Sequence, residues 1–147
     1  MFSPENAKTK ALRPLARGGR VYSLDLPAGY TCPGAKECCS QAIPKPGGGR
    51  QILDGPQCQF RCFAASAEAL RTAVWNKRQR NLAAIRGCRT PQQVCKLLLA
   101  HLPGDARIVR LHVSGDFFSR RYLEGVMMAA KRTPHVRWYA YTKSLHL

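Results

Sequence analysis

Acidic side chains are scarce in this sequence. Eight Asp and Glu stand against 24 Lys and Arg, a formal net charge of +16 at pH 7. That balance excludes an anionic surface and favours a polyanionic partner, nucleic acid first among them. The deficit is also local: no Asp or Glu lies between Glu68 and Asp105, the stretch that holds Arg71, Lys77, Arg78, Arg80, Arg86, Arg89 and Lys96. Such a run can equally be a solvated face that keeps the protein soluble. Long apolar runs are missing too. Residues 94–100 are interrupted by Lys96 and are far too short to span a bilayer. The first six residues lack the charged start and apolar stretch of an export signal, so a cytoplasmic protein without a membrane anchor is expected.

What the sequence does contain is enough to fold. Its 147 residues are 45% hydrophobic, which suits one domain burying roughly two-thirds of its unfolded surface. Seven cysteines are present. An odd count without an export signal reads as metal ligands or reactive thiols rather than a disulfide framework, because the cytosol keeps thiols reduced.

Residues 1–20 are basic, carry only Glu5 as an acid and show no apolar period, so they read as an N-terminal arm ahead of a single α/β domain over 21–147. Alternation predicts a strand over 21–26. Residues 27–62, rich in Gly and Pro, read as a cysteine-rich metal-binding loop that needs an external clasp. A helix is expected over 63–86, ended by Gly87, and another through Leu102, with Thr90 as N-cap, Pro91 in its first turn and Gln93 in the capping-box place. Strand, helix and strand follow over 107–113, 119–131 and 136–141, a βαβ unit that implies a short parallel sheet of partial-barrel character.

Two close cysteine pairs, Cys32 with Cys38 and Cys58 with Cys62, supply the soft sulfur ligands that zinc or an iron–sulfur cluster takes. Cys39 is an alternative to Cys38. Cys88 and Cys95 fall at helix ends or apolar positions and read as structural. Ligands of parallel α/β sheets bind beyond the carboxyl ends of the strands. The turns carrying His112 and Asp116, and Lys143, should therefore share a crevice, where these three residues are candidate acid–base or anion-binding groups. The alternative is that Asp116 caps a turn and His112 is a satisfied core histidine. Arg71, Trp75 and Arg78 fall within about 60° of one another on an ideal helix, a face able to contact phosphates and stack on a base, although Trp75 can equally be core.

Four runs, residues 24–35, 54–64, 112–118 and 139–144, resemble the phage gene product 88 domain family. The resemblance implies a phage or prophage context, with a phage or host protein as a further possible partner and self-association open. A weaker similarity links Cys58-Gln59-Phe60-Arg61-Cys62-Phe63-Ala64 to the cluster loop of radical S-adenosylmethionine proteins. That family's third cysteine has no counterpart between Cys62 and Cys88, so such a set would draw on Cys32, Cys38 or Cys39. The expected function is thus a metal- or iron–sulfur-binding phage-type protein whose basic surface engages nucleic acid. The alternatives are a radical S-adenosylmethionine-like enzyme and a zinc-stapled module that inhibits a host protein.

Overall fold

The computed structural model describes residues 1–7 and 9–147. Its elements in chain order are β1 (Ser3–Pro4), β2 (Arg20–Leu24), β3 (Gln41–Pro44), β4 (Arg50–Leu53), α1 (Phe63–Leu70), α2 (Thr72–Gly87), α3 (Pro91–His101), β5 (Ala106–Leu111), α4 (Arg120–Arg132) and β6 (Arg137–Ala140). Four strands form one open sheet in the order β1-β2-β5-β6. The β2–β5 and β5–β6 pairs are parallel, as the βαβ pattern predicts, while the two-residue β1 pairs antiparallel with β2 and makes the sheet mixed.

Strand alternation divides the core. Leu24, Val109 and Leu111 point to the face covered by α2, α3 and α4, where they pack with Ile85, Val94, Leu98, Tyr122 and Val126. Val21 and Ile108 point the other way, onto Ala16 and Leu12 of a 3-10 segment, Lys10–Ala16. The stretch read as an arm is therefore laid against the sheet. Ser3–Pro4 adds a strand edge, and Met1 and Phe2 pack on the main core.

Two expectations are corrected. The segment 27–62 is not an irregular loop throughout: Gln41–Pro44 and Arg50–Leu53 pair as a hairpin, turned by Gly47, Gly48 and Gly49 at positive φ. Hydrogen bonds and an ion pair hold the rest. Asp54 binds Arg61 at 2.7 Å, the Gln59 amide donates to the Glu37 carbonyl at 2.7 Å, and the Cys62 amide donates to Ser40 Oγ at 3.3 Å. The helix expected over 63–86 is two helices, broken where Arg71 adopts an extended backbone. No Gly or Pro marks the break. A distant side chain supports it instead, since Arg50 donates to the Glu68 carbonyl freed there at 2.8 Å and to Thr72 Oγ1 at 2.9 Å.

Candidate functional site

The carboxyl ends of β5 and β6 open onto a cavity of about 260 Å³. Three thiols line it: Cys32 from the turn after β2, Cys38 from a 3-10 turn at Lys36–Cys38, and Cys62 at the start of α1. The opposite wall is Ser114, Gly115 and Asp116 after β5, with Tyr141, Thr142 and Lys143 after β6. Close approach of backbone brings these loops together. Gly34 sits so tightly against the Lys143 carbonyl that a Cβ there would collide with it, and Gly115, at φ +81°, packs on Thr31 and Leu26.

The sulfurs lie within electrostatic reach of one another. Burial pushes the Cys32 thiol up to about 12, and the negative charges of Asp116 and Cys62 add to it. Cys38 is raised by burial and by Cys62, Cys39 and Cys58, against the opposing pull of Lys143. Cys58 does not line the cavity: its Sγ faces the Phe60 carbonyl at 3.2 Å and Ser40 Oγ at 3.5 Å. Cys39 also turns away, toward the Gly29 carbonyl. Among the described residues, no three His, Cys, Asp or Glu side chains are already set around one point to hold a metal ion.

The three candidate polar residues divide in role. Asp116 and Lys143 do meet across the crevice, but through the Lys143 backbone: its amide donates to Asp116 Oδ2 at 2.8 Å, while Oδ1 accepts from Thr142 Oγ1 at 2.6 Å and the Phe117 amide at 2.7 Å. Asp116, 5% exposed, is thus a clasp between the two turns. The Lys143 ammonium lies over the Phe60 ring at 6.0 Å and faces the thiol cavity.

His112 is a core residue. Its Nε2 shares a hydrogen bond with the Tyr122 hydroxyl at 3.0 Å, its ring stands edge-on to Phe117, and Nδ1 is 3.9 Å from Asp116, beyond hydrogen-bond range. Its backbone takes φ 63°, unusual for a side chain with a Cβ, and swings the chain out of β5 into the crevice turn. Burial lowers its pKa to about 4. Above the ordinary value of 6.5 the ring is neutral whether the chain is folded or not. As the pH falls from 6.5 toward 4, the unfolded chain takes up a proton that the folded one refuses, and stability drops by up to about 3 kcal/mol. His112→Asn, which tolerates the left-handed backbone, should flatten urea-measured stability over that window relative to wild type; identical pH profiles would show that His112 does not titrate as a buried ring.

The helical face does not come together. Arg71 is exposed, but Trp75 is half-buried beneath Arg50, whose guanidinium lies 5.7 Å from the ring centroid. Arg78 is 8% exposed and bonded to Glu68 at 2.7 Å and to the Ala64 carbonyl at 3.1 Å. Sequence reasoning passed over Glu68, a fully buried carboxylate that also accepts from the Ala28 amide at 2.9 Å and Ser114 Oγ at 3.3 Å. Burial raises its pKa against the pull of these partners. A signal existed: Glu68 is the single acid between Asp54 and Asp105.

These features define a small mixed α/β protein with a thiol-lined crevice at the carboxyl end of its parallel strands. The chain belongs to the gene product 88 family, a phage gene-product family whose model matches residues 1–147, its whole length. No curated protein and no solved structure matches it. Among the described residues no helix is long and apolar enough to cross a membrane.

Proposed function

We propose that this phage-type protein binds an iron–sulfur cluster through Cys32, Cys38 and Cys62. The observation that carries the reading is the convergence of three thiols, distant in sequence, on one cavity at the ligand-binding end of a parallel sheet. Thiolates favour iron–sulfur clusters and zinc alike. The cavity, at about 260 Å³, has room for more than a single ion, which favours the larger group. Lys143 offers a positive charge beside these sulfurs.

The test is iron, acid-labile sulfide and zinc analysis of protein purified without oxygen and reconstituted with iron and sulfide. Brown protein with iron and sulfide is expected. Cys32→Ala, Cys38→Ala and Cys62→Ala should each lose most of the iron, and Cys88→Ala should keep it. All four should remain soluble, because the hairpin and the Asp54–Arg61 pair hold the loop without metal. Colourless protein with stoichiometric zinc would replace the cluster by a zinc site, and folded protein that takes up neither metal would end the proposal.

A second reading, an enzyme of radical S-adenosylmethionine type, draws on the same cavity. Three thiols rather than four line it, so a group held there would keep a position without a cysteine ligand, as catalytic metal sites do. A change in the cluster's spectrum on adding S-adenosylmethionine separates this reading from a purely structural cluster.

A further inference from the structure

The sheet face opposite the main helices is only partly covered. The 3-10 segment shields Val21 and Ile108, and beyond it β5 and β6 present a row in which cations and aromatic rings alternate. Parallel register places Arg110 beside Tyr139, and the two-residue period carries Arg137 and Tyr141 onto the same face. Tyr141 is 75% exposed and meets Tyr139 edge-on at 6.1 Å. The Arg110 guanidinium lies 5.7 Å from the Tyr141 ring centroid, and its Nε is buried without a hydrogen-bond partner.

At the lower end of this row a cavity of about 410 Å³ is lined by Arg17, Arg107 and Arg137 and by no carboxylate among the described residues. None of these arginines, nor Arg110, forms an ion pair among the described residues. That distinguishes them from Arg13, Arg20, Arg61, Arg78 and Arg120, each held by an acid. Unpaired guanidiniums around one hollow repel one another, and a polyanion relieves that repulsion.

We infer that this face binds single-stranded nucleic acid, its phosphates in the arginine hollow and a base stacked on Tyr141. Single strands fit better than duplex because the exposed ring face is useful only to an unstacked base, and stacking on such a platform tolerates any sequence. The face meets the thiol cavity at Tyr141, which borders both, but the arginine hollow shares no lining residue with that cavity, so the paired Arg17 and Arg137 variant tests the inference independently of the proposed cluster.

The probe is a fluorescein-labelled oligothymidylate, titrated by anisotropy over a range of salt, with a duplex of the same length and anionic phospholipid vesicles as competitors. Binding is expected at low salt, the duplex competing weakly and the vesicles not at all. Tyr141→Ala should weaken it roughly five- to a hundredfold, and Tyr141→Phe should restore it. Arg17→Ala with Arg137→Ala should reduce the slope of log affinity against log salt by about 1.4, the release expected for two phosphates of a single strand. Arg71→Ala should leave affinity unchanged. No binding at low salt, stronger competition by duplex or vesicles, or a Tyr141→Ala protein that binds like wild type would each overturn the inference. Circular dichroism of the variants, whose altered side chains are at the surface, excludes loss of fold.

Discussion

Arg78→Ala is expected to destabilise the protein by about 3–5 kcal/mol, the cost of leaving a buried charge without its partner. The pair is out of water on both sides, with side-chain exposures of 10% for Arg78 and 0% for Glu68. It also ties separate pieces of the fold together. Glu68 on α1 accepts from Ala28 after β2 and from Ser114 after β5, while Arg78 on α2 reaches the Ala64 carbonyl. Losing the guanidinium therefore loosens the frame around the thiol cavity as well as the contact between α1 and α2. Replacing both members by groups that need no countercharge, as in Glu68→Gln with Arg78→Met, should recover more than half of the loss, because the glutamine carbonyl still accepts from the Ala28 amide. Urea unfolding of the two variants measures this directly. An Arg78→Ala protein as stable as wild type would mean that Glu68 is not held as a buried partner. Weakened nucleic-acid binding by that variant would report damage to the fold, since Arg78 has no charge to spare for a phosphate.

Where the fold was legible, its determinants were local. Thr90, Pro91 and Gln93 announce the start of α3, and the Thr90 hydroxyl does accept from the Gln93 amide at 3.2 Å. The alternation of residues 107–113 and 136–141 carries β5 and β6 because each is backed by an apolar face that needs period two. Two features were hidden by interactions distant in sequence. The break at Arg71 is supported by Arg50, distant in sequence; Trp75 and Arg78 still share α2 with Arg71 as its N-cap, but Arg50 covers Trp75 and Glu68 of the preceding helix holds Arg78, contacts that helical phase cannot show. The hairpin of β3 and β4 was masked by its own turn, since Pro and three glycines between Ile43 and Ile52 look like an unstructured loop until the two isoleucine segments are paired. The crevice itself follows from chain order, which brings Asp116 and Lys143 together. Which thiols face it depends on how three loops pack, and nothing in the spacing distinguishes Cys38 from Cys39.

Asp116→Ala should cost about 2–4 kcal/mol, because one buried carboxylate satisfies three donors from two turns and bonds to a charged acceptor are among the stronger ones. The conservative variant is the more informative. In Asp116→Asn one acceptor oxygen becomes an NH2 group, which must face an N–H or hydroxyl donor whichever way the amide turns: the Lys143 amide on one side, or Thr142 and the Phe117 amide on the other. Donor against donor makes Asn almost as damaging as Ala here. A residue that acted on a bound ligand would behave differently, folding normally as Asn while losing its ligand. Thr142→Val removes two bonds, the hydroxyl's donation to Asp116 and its acceptance from the Ser144 amide, yet leaves the Lys143 and Phe117 amides on the carboxylate and should cost about 1–2 kcal/mol. Urea unfolding ranks the three variants, and hydrogen exchange at the Lys143 amide reads the clasp itself, with protection lost in Asp116→Ala and Asp116→Asn but retained in Thr142→Val. If Asp116→Asn instead keeps both stability and that protection, the carboxylate is not what joins the turns, and the wall of the thiol cavity that carries Thr142 and Lys143 is held by its other contacts, the packing of Gly34 against the Lys143 carbonyl among them.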